Sequence, residues 1–198
     1  YNKNKNNMIK ITLNEKEYQL PDSWMDVTIG QFQDLNNIDV DYDNITKNMS
    51  IISILAGCSI DELLDLPAIE YNKLCELITF LDSQIPDKIC DEWTFNDITY
   101  KYDAEITQYN VSMFLDLDAM SKGGVDNLHL LLAIMYRPFK DNKIGKYRAN
   151  EVVERAKLFQ ENMPVSIAVA AQLFMSAFLI NSIQIMKASL VEEKKPQD

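Results

Sequence analysis

The residues best equipped for chemistry are carboxylates. Asp39, Asp41 and Asp43 alternate in the stretch DVDYDN, the spacing with which oxygen ligands open a calcium-binding loop. Such a loop needs glycine at its sixth position for a sharp turn and a bidentate glutamate at its twelfth. Here those positions hold Asn44 and Ser50, so a solvated acidic loop is expected and no metal ligand is assigned. Asp61, Glu62 and Asp65, and again Glu151 and Glu154, stand at helical spacing. A carboxylate pair acts as general acid and base when an apolar cleft raises one pKa. In the first turn of a helix the same residues favour the helix dipole, and that is the reading adopted. His129 is the single histidine and has no second His or Cys beside it to build a zinc site or a Cys–His pair. Cys58, Cys75 and Cys90 lack CxxC spacing and are expected as reduced, packed thiols. The five glycines form neither a phosphate loop nor a nucleophile elbow. No catalytic, cofactor-binding or metal-binding residue is assigned, and no enzyme activity or cofactor is expected.

Charge narrows the partners. A net charge of −11 disfavours nucleic acid, because that affinity rests on Lys and Arg neutralising phosphates. No apolar leader precedes Met8, which is expected to be the true start, so the sequons at Asn44, Asn48 and Asn110 are read as coincidental. Val165 to Met186 carries no charge, but Ser166, Gln172, Ser176, Asn181, Ser182 and Gln184 dilute it. A buried central helix is therefore preferred to a membrane span.

The elements that must position any site form an α+β, mostly α-helical chain. Thr12–Ile38 aligns without a gap on Thr94–Met120, with Asn14 on Asn96, Tyr18 on Tyr100, Phe32 on Phe114 and Leu35 on Leu117. This predicts two β-hairpin-plus-helices units in pseudo-repeat, packed around a long C-terminal helix. Residues 1–8 are expected as a disordered extension, 9–90 as the first unit, 91–190 as the second and 191–198 as a charged tail. Ile11–Tyr18 and Phe95–Tyr102 read as equivalent hairpins from their alternation. Thr28 with Gln31, and Ser59 with Glu62, have the capping-box form, and Asn110 aligns with Thr28 as an N-cap. Phe32 and Phe114 are expected to face the core. Asn48 is expected to open a helix that Gly57 stops, and Pro67 a longer one to about Ser83. Further helices are read at Asn127–Tyr136, from Asn150 to about Asn162, and from Val165 to about Leu190, with Lys140–Lys146 as a polar loop. In the last helix Leu173, Phe174, Phe178, Leu179 and Ile183 are expected to be buried.

The opening IKITLNEKEYQLPDSWMDVTIGQFQDL, the later ILAGCSIDELLDL, and HLLLAIMYRPF followed by Tyr147 resemble small structural or assembly proteins of tailed bacteriophages. ILAG-x-SIDEL-x-DL is similar to what tail assembly chaperones carry. The resemblance implies no enzyme activity and no cofactor. It implies binding to other phage structural proteins, in the host cytoplasm or in the virion, as a chaperone-like assembly factor. The alternatives are a stable neck, ring or baseplate component and, from another class, a small soluble enzyme. The partner surface is expected around Trp24, Met25 and Tyr42, or at the edge of one hairpin, where an unpaired strand can accept another.

Overall fold

Alternating apolar residues make β1 (Ile9–Leu13) and β2 (Lys16–Leu20) an antiparallel hairpin, Leu13 pairing with Lys16. The structure, a computed structural model, describes residues 8–86, 90–103 and 109–171. The N-terminal extension 1–7, the charged tail and the last helix beyond 171 lie outside the described residues. Two further hairpins follow the plan of the first: β3 (Glu92–Phe95) with β4 (Ile98–Tyr102), and β5 (Tyr136–Lys140) with β6 (Lys143–Ile144). Each turns through two residues of positive φ: Asn14 and Glu15 (46° and 68°), Asn96 and Asp97 (47° and 62°), Asp141 and Asn142 (53° and 56°). This is the type I′ geometry, whose twist matches that of the strands. The first hairpin is a two-stranded sheet, whereas the other two join in the order β3-β4-β5-β6.

The third hairpin corrects the expected loop at Lys140–Lys146. Helix α6 (Leu128–Met135) passes into β5 with no intervening loop. An apolar run hides this change, because period alone does not separate a buried helix from a buried strand. Pro138 sits inside β5 without a backbone N–H. Gly145 N donates to Pro138 O at 2.8 Å, and the reciprocal bond, which Pro138 cannot make, is replaced by Arg137 Nη1 donating to Gly145 O at 2.8 Å.

The remaining helices are α1 (Ile29–Asn36), α2 (Asn44–Ala56), α3 (Ile60–Leu64), α4 (Ala68–Leu77), α5 (Val111–Ser121), α7 (Val152–Asn162) and α8, described over 165–171. Both expected capping boxes form, at Thr28/Gln31 and Ser59/Glu62, and Gly57 ends α2 in the left-handed conformation. Three helix boundaries differ from expectation. Asp43, not Asn48, caps α2, its carboxylate accepting from Ile45 N (2.9 Å) and Thr46 N (3.0 Å). The helix after Pro67 stops at Leu77 and continues as a 3-10 turn over Thr79–Asp82. Asn150 lies in a 3-10 turn, Ala149–Glu151, and makes no side-chain cap.

The aligned segments thus share a hairpin, its turn and an N-cap, with Asn110 Oδ1 accepting from Met113 N at 2.8 Å. Their helices bury different faces. Helix α1 buries Ile29 and Gln33, whose aligned partners Val111 and Leu115 are exposed, while α5 buries Met113 and Leu117. A two-residue offset turns the buried face by about 200° at 3.6 residues per turn. Phe32 and Phe114 are both half-buried; Phe32 packs against the core cluster, edge-on to Trp24, and Phe114 is not among the described residues packed on that cluster. The cause lies in the packing partner. Ile29 N donates to Met163 O (3.0 Å), Val165 N donates to Val27 O (2.8 Å), and Gly30 lets α1 approach the Gln160 carbonyl, which an added Cβ would meet at 3.0 Å. Helix α1 is thereby held on α7, and α5 packs on α6. Buried side chains from both segments, Leu20 and Ile29 with Tyr100 and Leu117, belong to one hydrophobic cluster.

Candidate functional site

Among the described residues, a groove of about 490 Å³ lies between the β3–β4 hairpin and α7. Alternation along β4 puts Ile98 and Tyr100 on one face, and helical periodicity puts Glu151, Glu154, Arg155 and Leu158 along one side of the 3-10 turn and α7; these residues line the groove with Lys157 and Glu161. The wall is held by rings. Phe159, fully buried, takes Trp93 and Tyr100 edge-on at 5.4 and 5.0 Å, and Trp93 stacks on Phe95 at 5.5 Å. Such offset and edge contacts fix ring positions beyond simple burial.

The groove combines apolar surface with charge. Ile98 is 47% exposed, so an apolar side chain faces the opening, while Tyr100 is buried. Burial raises the Tyr100 phenol above its ordinary value, with the nearby Glu154 acting in the same direction. Arg155 is buried beneath. Its Nε donates to Ala133 O at 2.8 Å, satisfying a carbonyl that α6 leaves open where it becomes a strand. Its Nη1 lies 3.8 Å from Glu151, and its Nη2 is buried without a hydrogen-bond partner among the described residues. Desolvation lowers the Arg155 pKa, although a guanidinium stays charged at neutral pH. Glu151 also accepts from Arg148 at 2.9 Å.

A second polar cluster lies in the core. Gln33 Nε2 donates to Val125 O (2.8 Å) and Asp126 O (2.9 Å) and lies 3.0 Å from His129 Nδ1, while Gln160 Nε2 donates to Gln33 Oε1 at 2.7 Å. The two amide hydrogens serve the two carbonyls, and His129 Nδ1 lies against the same nitrogen. Burial lowers the His129 pKa below 6.5. The cluster joins α1, α6 and α7 and presents no nucleophile to the imidazole.

Of the carboxylates that the sequence singles out, Glu151 and Glu154 meet in the groove, and Asp39, Asp43 and Glu62 are engaged elsewhere. Asp39 accepts from Asp41 N at 2.9 Å and Asp43 is a helix cap, its pKa lowered by the hydrogen bonds from Thr46. Glu62 accepts from Lys16 and Tyr18, each at 2.8 Å, and from Ser59 N at 3.0 Å. These bonds depress its carboxyl to about 2. Among the described residues no group of three or more His, Cys, Asp or Glu could hold a metal ion, and no helix is long and apolar enough to cross a membrane.

Of the expected partner surface, Trp24 is committed to packing. Its ring meets Phe32 and Phe80 edge-on at 6.0 and 5.8 Å, and its Nε1 donates to Ser83 O at 3.0 Å. Met25 and Tyr42 are exposed. The groove escaped sequence reasoning because Ile98 and Leu158 are distant in the chain; the one local signal is an isoleucine directly after the turn Asn96-Asp97. The chain matches no protein-family model, no curated protein and no solved structure.

Proposed function

We propose that this protein acts by binding other proteins, without catalysis, as a chaperone-like factor in tail or virion assembly of a tailed bacteriophage. The observation that carries the binding reading is the groove. Ile98, 47% exposed, stands beside half-buried Leu158 and is rimmed by Glu151, Glu154 and Glu161, which offers a partner an aliphatic contact bordered by carboxylates. The phage context comes from the resemblance of IKITLNEKEYQL, ILAGCSIDELLDL and HLLLAIMYRPF. The partners are then other phage structural proteins, met in the host cytoplasm. The net charge of −11 supports a protein partner over nucleic acid.

Co-expression with the structural proteins encoded beside it tests the binding, and mass spectrometry of purified virions tests the role. An assembly factor co-purifies with a tail, neck or head protein from cells and is absent from the particle. Presence in the particle at fixed stoichiometry makes it a neck, ring or baseplate component instead. Failure to co-purify with any structural protein, together with absence from particles, overturns the proposal.

A further inference from the structure

The charges around the groove are unevenly matched. Glu151 has Arg148 at 2.9 Å and Arg155 at 3.8 Å, and Glu161 has Lys157 at 4.0 Å. Glu154 has no ion pair among the described residues and is exposed beside the apolar pair Ile98 and Leu158. Below them Arg155 is only 7% exposed and its Nη2 is closed off from solvent, so it forms the floor and is not a contact for a ligand. The remaining two features define complementary chemistry: a cation for Glu154 and an aliphatic group for Ile98 and Leu158. An anionic ligand is opposed by three carboxylates and by the net charge of −11.

From this we infer that the groove takes a short extended peptide segment of a partner protein, in which an aliphatic side chain stands beside a lysine or arginine. The aliphatic side chain lies over Ile98 and Leu158, and the basic head reaches Glu154. The inference rests on the protein-binding reading above and names the partner chemistry of that site.

The test uses the full chain and fluorescently labelled, end-capped peptides with the central sequences Lys-Leu-Lys, Lys-Ser-Lys and Glu-Leu-Glu. Anisotropy gives affinity, and amide NMR shifts give location. Lys-Leu-Lys is expected to saturate with shifts at Ile98 and Leu158, and the other two to bind about tenfold more weakly or less, a difference of about 1.4 kcal/mol. Glu154→Lys, an exposed change, and Ile98→Thr, which keeps a β-branched residue in the strand, are each expected to lower Lys-Leu-Lys affinity about tenfold with thermal melting unchanged. The inference is overturned if Lys-Leu-Lys does not saturate by about 1 mM, if both folded variants bind it as the parent does, or if spermine competes as well as the peptide. Those outcomes leave the co-purification and virion results untouched, so failure of the groove chemistry is distinguishable from failure of the binding function.

Discussion

The β1–β2 hairpin is tied to the body through a carboxylate: Glu62 of α3 receives Lys16 and Tyr18 from β2 while closing its own capping box with Ser59. The β3–β4 hairpin is tied through rings, with Trp93 and Tyr100 closing on Phe159 of α7. The two hairpins share a turn plan and a downstream N-cap, yet one anchor is a carboxylate and the other is aromatic. Local sequence chemistry therefore sets the shape of a hairpin, and the partner surface sets what holds it. A polar anchor responds to pH and salt; an aromatic anchor does not, and this suits the hairpin that walls the groove.

The largest effect is expected where the aromatic anchor is cut. Phe159→Ala should cost about 3–5 kcal/mol by urea denaturation; a loss under 1 kcal/mol would show that the rings are not the anchor. Next comes the face on which α1 differs from α5. Gln33→Ala strands two backbone carbonyls and should cost about 1–3 kcal/mol, whereas Leu115→Ala, its exposed aligned counterpart, should stay within about 0.5 kcal/mol. Equal losses would abolish the distinction between the helices. The shared feature is tested by Thr28→Ala and Asn110→Ala, each expected to cost about 1 kcal/mol. Within the turns, Glu15→Gly should stabilise by about 1 kcal/mol, because glycine adopts positive φ without the Cβ penalty. Asp97→Gly should gain less, since aspartate tolerates that region better.

Solvent screening makes the response to acid the smallest difference. The Glu62 pKa is lowered from 4.5 to about 2 in the folded chain. Its contribution is present above pH 4.5 and is lost as the pH falls toward about 2. His129 has a folded pKa below 6.5, so its contribution is present above pH 6.5 and is lost as the pH falls through the folded value, before that of Glu62. Urea midpoints measured from pH 8 down to pH 3 should decline in two stages, the later one flattened by Glu62→Gln and the earlier one by His129→Gln. A single stage removed by neither variant would contradict both assignments.

Much of the fold was legible where the determinants are local. Thr28 with Gln31, Ser59 with Glu62, Asn110 and Gly57 each cap a helix through bonds spanning a few residues, so spacing alone finds them. The turn Asn14-Glu15 belongs with these. Asp43 was missed because its stretch resembled a metal loop, although its side chain caps the residues that follow. HLLLAIMYRPF hid the α6–β5 transition, since every residue of Leu131–Arg137 is buried and no polar face marks the period. The burial of Gln33 and the groove depend on which surfaces meet, and no short window of sequence carries that information. The expected burial of Leu173, Phe174, Phe178, Leu179 and Ile183 lies outside the described residues.

Pro138 and Arg137 have a consequence for the company this chain keeps with copies of itself. A four-stranded sheet could recruit strands from other molecules along an open ladder, the first step toward polymerisation. On the β6 side the ladder offers only two strand residues, Lys143 and Ile144, before Gly145. The Gly145 carbonyl turns inward to the Arg137 guanidinium on the β5 side, and that guanidinium is clamped by the Asp103 carboxylate. The Arg137–Asp103 pair thus closes the inner end of the β5–β6 ladder, and it is the shortness of β6 that leaves a neighbour little to pair with on that side.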